Sequence, residues 1–200
     1  MILNILKKVL LGGRKNKLEY EIKPLRPFID VENLVPWFND ELNLLSLQLE
    51  RKSKKSFFNT VVSGAFKTIY AEAVIGYAYQ DVYTGTKKGL ILAKSRDNEY
   101  VYRLRQGIAQ VYINGNFTGI IDHHGRLISP RSQKVLAMID QSTGSIHEIA
   151  VDGVKVGSLN KPVRDAALHQ RAVELFKDMS NKGKQLLVSL VIFEILKRNV

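Results

Sequence analysis

The sequence predicts an α+β protein, an antiparallel β-meander or barrel-like sheet packed around an apolar C-terminal helix, with helices in its N-terminal part. Three observations carry this. From Gly85 onward apolar residues recur at period two, and Asn114-Gly115 and Asp152-Gly153 readily adopt the positive φ angles of two-residue hairpin turns. Gln185–Leu196 is apolar nearly all round, which implies burial on most sides. Before Gly85 the apolar spacing is helical. The chain of 200 residues is 45% hydrophobic and 24% charged, an ordinary globular composition that excludes a long disordered chain, a collagen-like repeat and a disulfide scaffold.

Residues 1–17 carry Lys7, Lys8, Arg14, Lys15 and Lys17 and no acid, with Leu3, Leu6 and Leu10 on one helix face and Gly12-Gly13 ending it. This tail reads as an interfacial amphipathic helix or as a helix packed on its own domain or a partner. It is too short to span a bilayer, and it lacks the charge order and cleavage site of a signal peptide. Leu18–Phe28 alternates weakly before Pro24 and Pro27, which predicts a short edge strand. Asn39-Asp40-Glu41 looks like a helix start with Leu42, Leu45 and Leu49 on one face. Leu45–Glu50 also alternates at period two, so a strand competes for that place.

From Phe57 apolar pairs recur every four residues through Val61-Val62, Ala65-Phe66, Ile69-Tyr70 and Ala73-Val74 to Tyr77-Ala78. The spacing predicts a long amphipathic helix whose far end, Ala73–Tyr83, competes with a strand. Lys67 and Glu72 near its middle, at about 2.5–3.5 kcal/mol each, argue against a membrane span. Strands are then predicted at 89–94, 99–105, 108–114, 117–122, 126–129, 135–140, 146–151 and 154–159. Three segments share one pattern, Thr84-Gly85-x3-Gly89, Asn114-Gly115-x3-Gly119 and Asp152-Gly153-x3-Gly157. The first Gly suits a tight turn, and the second lies inside the next strand, where a bulge or a close approach needs no side chain. Pro162 opens a predicted helix with Leu168, Ala172, Leu175, Phe176 and Met179 on one face, and the apolar helix follows. The chain thus divides into a basic tail (1–17), a mostly helical region (18–83) and a β-meander with C-terminal helices (84–200), the last two forming one compact domain.

Repeated hairpins at Asn114–Asp122 and Asp152–Asn160, followed by the apolar Gln185–Leu196, resemble the tubby and phospholipid-scramblase superfamily over about residues 80–200. The resemblance implies a closed barrel around a hydrophobic C-terminal helix, which often works at membranes through phosphoinositide binding or lipid association. The chain departs from the family in showing too few obvious strands for a twelve-stranded barrel and no Cys for palmitoylation. None of the family's lipid-contacting residues maps onto a particular position here.

The net charge is +11, unevenly spread, with residues 106–162 near neutral, so long-range attraction to anionic surfaces is expected. The sequence has no Walker A loop, no G-x-G-x-x-G and no nucleophile-elbow serine, and zero Cys removes thiolate chemistry. No catalytic residue or cofactor is assigned. Asp122-His123-His124 follows an apolar strand as a metal phosphoesterase motif would, but no D-x-D pair precedes it and a hairpin turn is needed there. His147 and Glu148 on a strand point to opposite faces, and Asp165 and His169, spaced i,i+4, lack the third partner of a dyad mechanism. Tyr100-Val-Tyr102-Arg103-Leu-Arg105 places two tyrosines on one face and the arginines on the other, an oligonucleotide platform or a strand with one packed face.

The expected function is a non-enzymatic interaction module, cytoplasmic and peripheral to anionic membrane through Lys7, Lys8, Arg14, Lys15 and Lys17, or bound to a protein partner. The alternatives are a nucleic-acid partner held by Lys52, Lys54, Lys55, Arg103 and Arg105, and a metal site at Asp122, His123 and His124.

Overall fold

The computed structural model describes residues 15–55, 60–83, 87–140, 146–161 and 170–199. Twelve strands form one antiparallel sheet, each paired with the next along the chain. They are β1 (Leu45–Lys55), β2 (Thr60–Thr68), β3 (Ala73–Tyr83), β4 (Lys87–Lys94), β5 (Glu99–Arg105), β6 (Ile108–Ile113), β7 (Asn116–Ile121), β8 (Arg126–Ile128), β9 (Val135–Asp140), β10 (Ile146–Val151), β11 (Val154–Asn160) and β12 (Val173–Leu175). The lead-in to β12 returns to β1. The Ala172 N–H donates to the Leu45 carbonyl at 2.7 Å and the Leu47 N–H to the Gln170 carbonyl at 3.0 Å, bringing the sheet to near closure as a barrel.

The helix Asn181–Asn199 occupies the interior, and every residue from Leu186 to Leu196 is buried. An eight-stranded barrel is filled by its own side chains, whereas a helix about 10–12 Å across needs a wider one. The inner wall makes further room by setting Ala93, Ala109 and Ala137 among Tyr77, Tyr100 and Tyr102. The Tyr102 hydroxyl donates to the Ser189 carbonyl at 2.6 Å, and its ring stacks on Phe193 with centroids 5.5 Å apart. These two contacts fix the depth and rotation of the helix. An α+β barrel-like sheet around an apolar C-terminal helix is therefore the fold, as predicted, and eight of its strands fall where period two and the turn residues place them.

The region 18–83 departs from expectation. Leu18–Phe28 is not an edge strand: α1 (Lys15–Ile22) is a helix, and Leu18, Ile22, Leu25 and Ile29 bury one face against the outer wall. They pack on Val61, Ala78, Leu90, Leu92, Val101 and Tyr112, so β2–β6 are apolar on both faces. We label the interior helix α2. The helix expected from Asn39 reduces to a 3-10 turn, Asn39–Leu44, and the competing period-two pattern wins from Leu45.

The long helix expected from Phe57 is instead the hairpin β2–β3, with Phe57 itself outside the described residues. Apolar pairs every four residues also suit a strand covered on both sides, with Val62 and Phe66 facing α2 and Val61 facing α1. Its turn carries no Gly, Pro, Asn or Asp. Ala71 takes φ 66, and the Thr68 Oγ1 accepts from the N–H groups of Tyr70 and Glu72, supplying the local bonds that a turn residue would. Gly76 admits the N-terminal segment against the sheet: a Cβ there would lie 2.5 Å from Ile29 Cγ2. The mostly helical reading of 18–83 is corrected accordingly.

The helix expected over 162–179 is also corrected. Residues 162–169 lie outside the described residues, and Val173–Leu175 is the twelfth strand, with Ala172 and Val173 buried. With β1, β2, β3 and β12 counted, the apparent shortage of strands disappears.

The repeated glycines do what their spacing predicts. Asn114-Gly115 and Asp152-Gly153 all have positive φ in two-residue hairpin turns. In β7 and β11 the register shifts by one residue just before Gly119 and Gly157, leaving Thr118 and Val156 as bulges. The next strand then crosses close to the glycine, and a Cβ on Gly157 would sit 2.4 Å from the Glu174 carbonyl oxygen. Gly85 lies outside the described residues. Gly157→Ala is expected to cost about 1–3 kcal/mol, because backbone rather than a flexible side chain must yield. A urea midpoint equal to wild type would refute that close approach.

Candidate functional site

Of the cations assigned to the tail, Lys7, Lys8 and Arg14 lie outside the described residues, Lys15 opens α1, and Lys17 is exposed. Two ion pairs set where that tail leaves the barrel. Glu21 meets Arg103 at 2.6 Å, and Arg26, five residues on, meets Glu99 at 2.7 Å, so α1 runs antiparallel to β5. Lys17 sits one turn ahead of Glu21 on the same helix face, which carries it beyond Arg103 toward Arg105.

On the same outer face Lys88 and Arg105 are directly opposed across β4 and β5. Like charges in that position repel, and neither Lys17, Lys88 nor Arg105 has an ion pair among the described residues. Arg103 adds a third signal. Its Nε is taken by Glu21 and its Nη1 by the Tyr112 hydroxyl at 2.9 Å, while its Nη2 is buried without a hydrogen-bond partner. An anion seated between Lys88, Arg105 and the edge of Arg103 would relieve both the repulsion and the orphaned donor. Lys88 was missed by sequence reasoning. Its signal is register, since only the pairing of β4 with β5 sets it against Arg105.

The nucleic-acid set divides. Lys52 bonds Glu50 at 2.9 Å, and the Glu50 carboxyl is held below its usual range by Lys52 first and Lys67 second. Lys54 and Lys55 close β1, separated from β5 by the three strands β2–β4, roughly 19 Å at sheet spacing. Tyr100 and Tyr102 point inward and are fully buried, and burial raises both hydroxyl pKa values. The stacking platform is thus replaced by a strand whose tyrosines pack inward and whose outer face is covered at Val101 by the N-terminal segment.

Asp122-His123-His124 is a turn. One Asp122 oxygen accepts from the backbone N–H groups of His124 and Arg126 at 2.9 and 3.0 Å, and the other from Arg126 Nε at 2.8 Å. Burial pushes the carboxyl up, but the bond to Arg126 and the two N–H groups outweigh it and hold it below the usual range. His123 and His124 are exposed, and no group of three His, Asp or Glu side chains among the described residues is placed to hold a metal ion. Asp165 and His169 lie outside the described residues.

His147 and Glu148 do face opposite ways. Glu148 pairs outward with Lys155, while His147 turns into the barrel and is only 6% exposed. There it joins Glu194 and Arg198 of α2, a cluster that sequence reasoning missed although Glu194 interrupts an otherwise apolar run. Arg198 Nε lies 3.3 Å from the buried Glu194 carboxylate, and Nη1 lies 3.4 Å from the Asn160 carbonyl. Arg198 Nη2 and His147 Nδ1 are buried without partners. Burial lowers the His147 pKa, with Arg198 and Lys161 adding to the effect, so the ring is neutral at pH 7. With an unpartnered donor and acceptor, the cluster suits bridging water better than an anion, which Glu194 would repel.

Comparisons with family models, curated proteins and solved structures find no match. The reading of function therefore rests on the chain's own geometry.

The depressed His147 pKa has a defined consequence for stability. The unfolded ring takes up a proton near the ordinary imidazole value of 6.5 while the folded ring resists, so stability is full above that pH. It declines as pH falls from there through the lower folded value. Thermal melts between pH 7.5 and 5.5 should show this decline in the wild type and a smaller one in His147→Gln. Equal slopes in the two proteins would remove the assignment.

Proposed function

We propose that the protein is a tubby- and scramblase-like interaction module that associates peripherally with anionic membrane, on its cytoplasmic side. The observation that carries the reading is the unneutralised pair Lys88 and Arg105 on the outer wall, beside the point where α1 leads back to the cationic tail. Lys17 adds like charge beside that pair, and the chain before it carries Lys7, Lys8, Arg14 and Lys15 with no acid. Each Lys or Arg near an anionic leaflet contributes about 1 kcal/mol, and the apolar Leu3, Leu6 and Leu10 add interfacial burial. The barrel around an apolar helix is the architecture that the family resemblance implies, which supports the reading without naming a lipid.

Cosedimentation with phosphatidylcholine vesicles, with and without phosphatidylserine, tests it at low and moderate salt. Lys88→Gln with Arg105→Gln is expected to lower affinity for the anionic vesicles by about 2 kcal/mol, roughly thirtyfold. Removal of residues 1–14 should weaken it further. Circular dichroism should be unchanged in both variants, because the substituted side chains lie on the surface. Undiminished binding by both would overturn the reading, and tighter binding to a single-stranded oligonucleotide than to vesicles would favour a nucleic-acid partner.

A further inference from the structure

The two ends of the barrel differ in chemistry. Among the described residues eight large hydrophobic side chains are exposed, and six of them, Val35, Phe38, Tyr70, Val135, Val154 and Phe176, ring the end at which α2 enters. Val35 bonds the start of β3, Tyr70 lies in the β2–β3 turn, Val135 and Val154 begin β9 and β11, and Phe176 follows β12. A folded protein gains nothing in water from such a ring, so its clustering at one end points to something that covers it.

Charge singles out one arc of the ring. Within the turns 129–134, 152–153 and 176–182, Arg131, Lys134, Lys177 and Lys182 are exposed and have no ion pair among the described residues. Asp178 in that arc is held by Lys184 at 2.8 Å, leaving Asp152 as the one unpaired acid there. These turns adjoin, because the Asp152 N–H bonds the Leu136 carbonyl at 2.9 Å and the Phe176 N–H bonds the Val156 carbonyl at 2.8 Å. The other arc differs, since Phe38 and Tyr70 are bordered by Glu41 and Glu72. A projecting rim of apolar side chains set among cations matches the boundary between headgroups and acyl chains, where apolar tips enter and Lys and Arg reach anionic headgroups.

This rim lies at the other end of the strands from the Lys88–Arg105 pair. Gln185 bonds Asn98 at 3.1 Å, which places the start of α2 at the Lys94 end of β4. Lys88 lies six residues up the same strand, roughly 20 Å away. We propose that the Val135–Val154–Phe176 arc is a second anionic-membrane contact, so that one molecule holds two bilayers together. This rests on the lipid reading of the Lys88–Arg105 surface.

The test uses the full chain with phosphatidylcholine vesicles containing phosphatidylserine, reading cosedimentation, vesicle clustering by light scattering, and fluorescence. Wild type is expected to sediment with the vesicles and cluster them. Phe176→Ser with Lys177→Glu should still sediment through the Lys88–Arg105 surface but lose clustering. A Phe176→Trp variant should shift its emission to the blue on adding vesicles, a change that a protein dimer formed through the rim would not require. Binding without clustering by wild type, undiminished clustering by the double variant, or an unshifted tryptophan would each overturn the second contact and leave the first standing. Failure of wild type to sediment at all would overturn the lipid reading of the first surface, and the bridge with it.

Discussion

The structure depends on burying one helix that is apolar on every side. Leu186–Leu196 has no polar stripe to turn to water, so only an enclosure buries it, and Tyr102 and Phe193 lock it to the wall. The width of that enclosure dictates the strand number. Two backbone bonds between 170–172 and the start of β1 bring the sheet to near closure, and with them the start of the first strand and the lead-in to the last are no longer free edges. Sequence-distant residues therefore share one responsibility, and a change at Leu45 or Ala172 acts on the same core as a change in α2.

The bulged hairpins are the means by which the sheet curves. Asn114-Gly115 and Asp152-Gly153 turn the chain, and one extra residue at Thr118 or Val156 twists the strand just before a glycine admits its neighbour. The remaining outer surface is divided between water and the N-terminal segment. Where α1 and Ile29 lie against it, β2–β6 carry apolar residues on both faces, whereas in β10 the alternation is clean. The ion pairs Glu21–Arg103 and Arg26–Glu99 hold that segment in one direction, and the direction decides where the basic tail departs.

Most of the exposed large apolar side chains gather at one end of the barrel, and unpaired cations stand at both. At one end Lys88 and Arg105 oppose each other without an ion pair among the described residues, and the inner cluster of His147, Glu194 and Arg198 closes the α2 terminus. At the other end the turns present phenylalanine, tyrosine and valine to solvent. The interior itself is filled by α2.

By itself the sequence determined the meander from Lys87 to Asn160, its two type I′ hairpins and the buried C-terminal helix. Each of these is written in local chemistry: period two, positive-φ turn residues, or a run apolar nearly all round. It also located the basic tail and showed Asp122-His123-His124 to be a turn. Only tertiary structure decided β1, β2, β3 and β12, because Val61-Val62 and Ala65-Phe66 satisfy helical and strand spacing alike once α1 covers the outer face. The β2–β3 turn is held by Thr68 and a strained Ala71 instead of a turn residue, so nothing local announces it. The candidate site follows the same division. Arg105 and the tail were legible as cations, but that Lys88 opposes Arg105, and that Glu21 neutralises Arg103, are facts of register and packing between segments far apart in the chain.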